Sequence, residues 1–114
     1  MLRYIVSFII LVHGLIHFMG FAKAFNYGDM KQLTLPISKP AGIMWMLAAF
    51  LFVLSVILCL AKNGYWTLAA FPAIIISQVL ITMSWQDARF GTIANVLILI
   101  AAIISWNNHY FENA

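Results

Sequence analysis

Four predominantly apolar stretches follow one another along this chain, at positions 4–21, 41–61, 65–85 and 91–106. A helix crossing the roughly 30 Å hydrocarbon core of a bilayer needs about 20 such residues. The first three stretches have that length, and the last acquires it by continuing through Asn107 and His109 to 111. No water-soluble fold of 114 residues accommodates such a pattern, because 65% of the chain is hydrophobic and only 8% is charged. Small domains bury too small a share of their surface to hide that much apolar area. The solvent the sequence implies is therefore lipid, and the bilayer is its first partner. The net charge of +3 comes from six Lys and Arg against three acids. These charges are scattered between the apolar runs, which excludes the basic face a nucleic-acid partner requires.

The punctuation predicts an all-α fold: a bundle of four transmembrane helices forming a single domain over 1–114, with helices at 4–21, 41–61, 65–85 and 91–111. Lys62-Asn63-Gly64 supplies a tight turn between helices 2 and 3, with a Gly able to take positive φ where helix 2 stops. The segment 86–90, carrying Asp87 and Arg89, makes a second short hairpin turn. The 1–2 loop, 22–40, is longer, and loops of that length usually carry structure or function. Within it, 29–33 is read as one interfacial turn ended by Pro36, and Ser38-Lys39-Pro40 as the cap and first turn of helix 2. The tryptophans are read as interfacial belts, Trp45 and Trp85 at one surface, Trp66 and Trp106 at the other with Tyr4, Tyr65 and Tyr110. Leu2-Arg3, an apolar run and Ala22-Lys23-Ala24 also resemble a signal peptide with its cleavage site. The length of the run and its two histidines favour retention as helix 1. Lys23, Lys31, Lys39 and Arg89 fall on the side opposite Arg3 and Lys62, so the positive-inside rule places the first and third loops in the cytoplasm by a narrow margin.

The residues most able to carry chemistry are His13 and His17, which stand at i, i+4 and share one face of helix 1. At about 1.5 Å per residue, His13 lies near mid-membrane and His17 about 6 Å closer to the first loop. Ionisable groups at that depth mark functional sites. Connectivity brings the end of helix 1 to the helix 3–4 turn. This sets His17 level with Ser84, Trp85 and Asn95, and His13 level with Gln78, with Asp87 and Arg89 at the rim. Polar groups in hydrocarbon bond one another across helices. The candidate cluster is accordingly His13, His17, Gln78, Trp85, Asp87, Arg89 and Asn95. It occupies the half of the bundle nearest the first and third loops, and the other half is expected to be nearly plain hydrocarbon.

Three readings of the histidine pair stand side by side: hydrogen bonds that hold helices together, a proton-handling or small-molecule site, and a metal or haem site. Two His one turn apart can share an ion, but Gly14, Leu15 and Ile16 lie between them and the glutamate of an HExxH zinc site is absent. His13 and His17 are thus only weak metal candidates, and the sequence requires no cofactor. Cys59 stands alone, which excludes dithiol chemistry within the chain. Pro72 is expected to kink helix 3. Small residues such as Gly14, Gly20, Gly42, Ala48 and Ala49 allow close helix approach, and argue for a packed bundle with a homo-oligomer or membrane-complex partner.

His-Gly-Leu-Ile-His-Phe-Met-Gly-Phe at 13–21 and Trp-Gln-Asp-Ala-Arg-Phe-Gly-Thr-Ile-Ala-Asn at 85–95 resemble small DoxX-like membrane proteins of bacteria. The second stretch is similar to the W-x-D-x-[KR]-[FY]-G-T-x-x-N pattern that precedes the last helix in short members. The resemblance implies a four-helix bundle in the bacterial inner membrane, with His13, His17, Trp85, Asp87, Arg89, Gly91 and Asn95 on matching positions. It further implies an accessory or subunit-like role, or a component of a quinone-linked redox complex. The single cysteine departs from the redox relatives.

Overall fold

The computed structural model describes residues 2–25, 27 and 37–108. Five helices follow in order: α1 (Leu2–Ala24), α2 (Lys39–Leu60), α3 (Trp66–Met83), α4 (Trp85–Ala88) and α5 (Gly91–Asn108). Among the described residues there is no strand. Three of the helices, α1, α2 and α3, are long and apolar enough to cross a membrane, and the apolar part of α5, Gly91–Trp106, is shorter. The turn expected at 29–33 and the residues His109 and Tyr110 lie outside the described residues.

Local chemistry explains most of the boundaries. Ser38 caps α2, its Oγ accepting the Ala41 N–H at 3.3 Å, which satisfies one of the donors a helix start leaves over. At the other end of α2 the left-handed residue is Lys62, with φ 60°. The turn was expected to rely on Gly64, but α2 stops at Leu60 with Ala61 as its cap, so the position past the cap falls on Lys62. Asn63 then accepts the Tyr65 N–H through Oδ1 at 2.9 Å. α3 ends at Met83, before the expected 85, because Ser84 leaves helical geometry at φ −113°, ψ 36°. The Ser84 N–H bonds the Leu80 and Ile81 carbonyls at 3.0 and 3.2 Å, and Trp85 opens the separate turn α4.

The long helices pack in sequence, α1 on α2, α2 on α3 and α3 on α5, with α5 returning to touch α1 only lightly. Small residues set how closely α1 and α2 approach. A Cβ at Gly14 would lie 2.8 Å from the Phe52 Cβ, one at Gly20 would overlap the Trp45 indole, and one at Gly42 would overlap the Ala24 methyl. Inside lie Ile10, Phe52, Ala48, Ala70, Ala73, Ile98 and Ala102. Outside, large apolar side chains are exposed on every long helix, among them Phe8, Phe50, Ile75 and Leu97. Contiguous apolar exposure on this scale marks a surface that meets another apolar phase.

Two of the sequence expectations are corrected by this packing. Trp85 and Trp106 are half exposed, as a belt requires, but Trp45 and Trp66 are 5% and 1% exposed and belong to the core. Trp45 fills the notch left by Gly20, and Trp66 donates its indole N–H to Ser105 Oγ at 3.2 Å. The half of the bundle away from the first loop is also not plain hydrocarbon. There Ser55 Oγ donates to the Trp66 carbonyl at 3.0 Å, tying α2 to α3, and Arg3 and Ser7 are buried nearby on α1. These residues escape a count of apolar runs because each is a single polar group within an apolar turn.

Candidate functional site

His13 and His17 lie on the buried face of α1, 5% and 1% exposed. Their rings meet edge to face with centroids 4.5 Å apart. Phe52 packs against both at 5.1 and 5.2 Å, and Trp45 lies 5.1 Å from His17. An aromatic wall from α2 thus shields one side of the pair, and its polar edges turn to α3 and α5.

The polar contacts form one connected chain. His13 Nε2 lies 2.8 Å from Asn95 Oδ1 on α5. His17 Nδ1 lies 2.7 Å from the His13 carbonyl and its Nε2 2.7 Å from Ser77 Oγ on α3. Asn95 Nδ2 reaches Ser77 Oγ and Gln78 Oε1, each at 3.1 Å. Gln78 Nε2 donates in turn to Thr92 Oγ1 at 3.2 Å. Donor and acceptor chemistry orients this chain. A carbonyl only accepts, so His17 carries its proton on Nδ1, and in the neutral ring Nε2 accepts from the Ser77 hydroxyl. Ser77 accepts from the Asn95 amide, whose oxygen is thereby left for the Nε2–H of His13. His13 and His17 are therefore opposite tautomers one helical turn apart.

Of the sequence-predicted residues, the chain joins His13, His17, Gln78 and Asn95. Asp87 lines the cavity beside them. Trp85 and Arg89 are exposed, and Arg89 stacks over the Phe90 ring at 5.2 Å. The expected depths are out by about one turn: His13, not His17, meets Asn95, and His17 meets Ser77. Two helix ends account for the α1–α3 part of this difference: α1 continues to Ala24, beyond the expected 21, and α3 stops at Met83, short of 85, so their relative depths move by more than one turn. Ser77 and Thr92 were missed, although each is a hydroxyl within or beside an apolar run at the depth of the histidines.

A half-open cavity of about 430 Å³ adjoins the chain on the first-loop side. His13, His17 and Asp87 are its titratable walls, and Trp45, Ile81 and Phe90 supply apolar surface. Gly91 holds this wall back, since a Cβ there would meet Ile81 Cδ1 at 2.8 Å and His13 Cε1 at 3.5 Å. A shallow apolar depression on the outer surface shares His13, Ile16 and Ala94 with the cavity, along the loosely packed seam between α1 and α5. Both His17 nitrogens are engaged within the protein, so ligation of an ion would first break a helix contact. Among the described residues no three His, Cys, Asp or Glu converge as a metal site.

Neither a family model, a curated protein nor a solved structure matches the chain.

Proposed function

We propose that this chain is a multi-pass protein of four membrane-spanning helices, α5 being the fourth, that binds a small lipid-soluble molecule in the cavity beside His13. The observation that carries the reading is the cavity itself: about 430 Å³, within the usual size of small-molecule sites, with a few polar groups in an otherwise apolar wall. The polar chain from His17 to Thr92 serves the site by fixing α1, α3 and α5, so that the cavity is already formed before a ligand arrives. Its seam between α1 and α5 faces the lipid, which suits a ligand that partitions into the bilayer.

The sequence motifs at 13–21 and 85–95 support a wider form of the proposal, in which the protein is a DoxX-like accessory bundle of the bacterial inner membrane acting beside a larger partner.

Equilibrium dialysis of 4-phenylbutanol between protein-containing and empty nanodiscs of the same lipid tests the site. The expected result is saturable uptake above lipid partitioning, abolished in Ala94→Phe, which fills the cavity from α5. Uptake equal to that of empty discs, or unchanged in Ala94→Phe with helix content intact, overturns it.

A further inference from the structure

The cavity wall contains a hydrogen-bond acceptor that the polar chain leaves over. His13 is 5% exposed, and its Nε2–H goes to Asn95 Oδ1 at 2.8 Å. In that tautomer Nδ1 carries a lone pair and no proton. Among the described residues nothing donates to it. Buried polar groups in folded proteins are almost always hydrogen-bonded, so a nitrogen left over from so complete a chain points to a partner from outside the protein. The ring borders the cavity at Gly91, where a Cβ would meet His13 Cε1, the carbon next to Nδ1, at 3.5 Å. The other titratable groups of the wall are already engaged. His17 has bonds at both nitrogens, and Asp87 interacts within the protein. Trp45 adds an indole N–H, which only donates.

We propose that the ligand is a neutral lipophilic molecule carrying a hydroxyl group, an alcohol or a phenol, whose O–H donates to His13 Nδ1 while its apolar body lies against Ile81 and Phe90. This rests on the small-molecule reading above and narrows it to one chemical class. One acceptor left over in a largely apolar wall matches one donor on an otherwise apolar ligand. The polar chain holds the acceptor in that state. Asn95 Nδ2 is committed to Ser77 and Gln78, so Oδ1 faces His13 and keeps the imidazole proton on Nε2. The Trp45 N–H suits any ligand oxygen, that of an ether as much as that of an alcohol. It is therefore the ligand's proton, and not its oxygen, that His13 selects.

The test compares 4-phenylbutanol with its isomer 3-phenylpropyl methyl ether, which keeps the oxygen and loses the donor. Both are dialysed at pH 8, above the ordinary imidazole pKa of about 6.5, against nanodiscs of zwitterionic lipid, with empty discs subtracted. The alcohol is expected to bind about fivefold tighter than the ether, the net effect of one neutral hydrogen bond. In ¹⁵N-histidine-labelled protein it is also expected to move the resonance of unprotonated His13 Nδ1 upfield, where the ether leaves it in place. His13→Phe is expected to bring the two ligands within about twofold of each other. If that variant fails to assemble, the resonance in the unaltered protein decides alone. An alcohol that binds no tighter than the ether, an advantage that survives in His13→Phe, or an Nδ1 resonance that the alcohol does not move overturns the hydroxyl assignment while the cavity reading stands. Binding by neither ligand overturns both.

Discussion

His17 Nε2 and Ser77 Oγ lie 2.7 Å apart, with both residues fully buried, and this contact ties α1 to α3 without any intervening side chain. Hydrogen bonds between membrane helices contribute less than their isolation suggests, about 0.6 kcal/mol on average and up to about 1.7. A double-mutant cycle of His17→Ala and Ser77→Ala, read from unfolding in mild detergent, is expected to give coupling within that range. Strictly additive effects would show that the two side chains do not share a bond.

The tautomers are open to direct measurement. In ¹⁵N-histidine-labelled protein at a pH where both rings are neutral, His17 is expected to show its proton on Nδ1 and His13 on Nε2, as the acceptors at the His13 carbonyl and Asn95 Oδ1 require. In Asn95→Leu the His13 signals should shift while the Nδ1 proton of His17 stays in place. Finding the same tautomer at both residues would overturn the donor order assigned to the chain.

Gly42 and Ala24 form a pair with room for one methyl group. Gly42→Ala is expected to destabilise the α1–α2 pair by about 1–3 kcal/mol, the usual range for overpacking. Combining it with Ala24→Gly should restore much of that loss. A double variant no better than Gly42→Ala alone would place the cost in the α2 backbone and not in the contact.

If α5 completes a fourth crossing, positions 63 and 107 lie on one face of the membrane and position 86 on the other. Single cysteines at these positions in a Cys59→Ser background, labelled with an impermeant maleimide in oriented vesicles, should divide in that way. Labelling of 63 and 107 from opposite faces would leave three crossings.

The helices were legible in the sequence because apolar run length is a direct physical requirement of spanning lipid, and α1 to α3 are long and apolar as expected. Boundaries depended on single residues. Nothing in the apolar count distinguishes Ser84, where α3 breaks, from Ser77, which stays helical and bonds His17. The pairing of histidines with α3 and α5 could be argued from the cost of bare polar groups in hydrocarbon, but its register could not, since ends misplaced by a few residues on two facing helices add up to a turn or more of relative depth. Trp45 and Trp66 misled for a related reason. An indole near a helix end suits an interface equally well as a core, and only the absent side chain at Gly20 and the hydroxyl of Ser105 decide between them.

The polar chain has a consequence for how the protein is made. His13 and His17 emerge from the ribosome long before their partners, Ser77 and Asn95, have been synthesised. During that interval α1 has only α2 available, and α2 offers the histidines Phe52 and Trp45, aromatic cover without hydrogen bonds. The first hairpin is therefore suited to act as a holding form, in which the close fit at Gly14, Gly20 and Gly42 keeps two imidazoles out of lipid until α3 and α5 arrive. On this view the glycines act twice, and their substitution should lower the yield of inserted protein as well as the stability of molecules that have finished assembling.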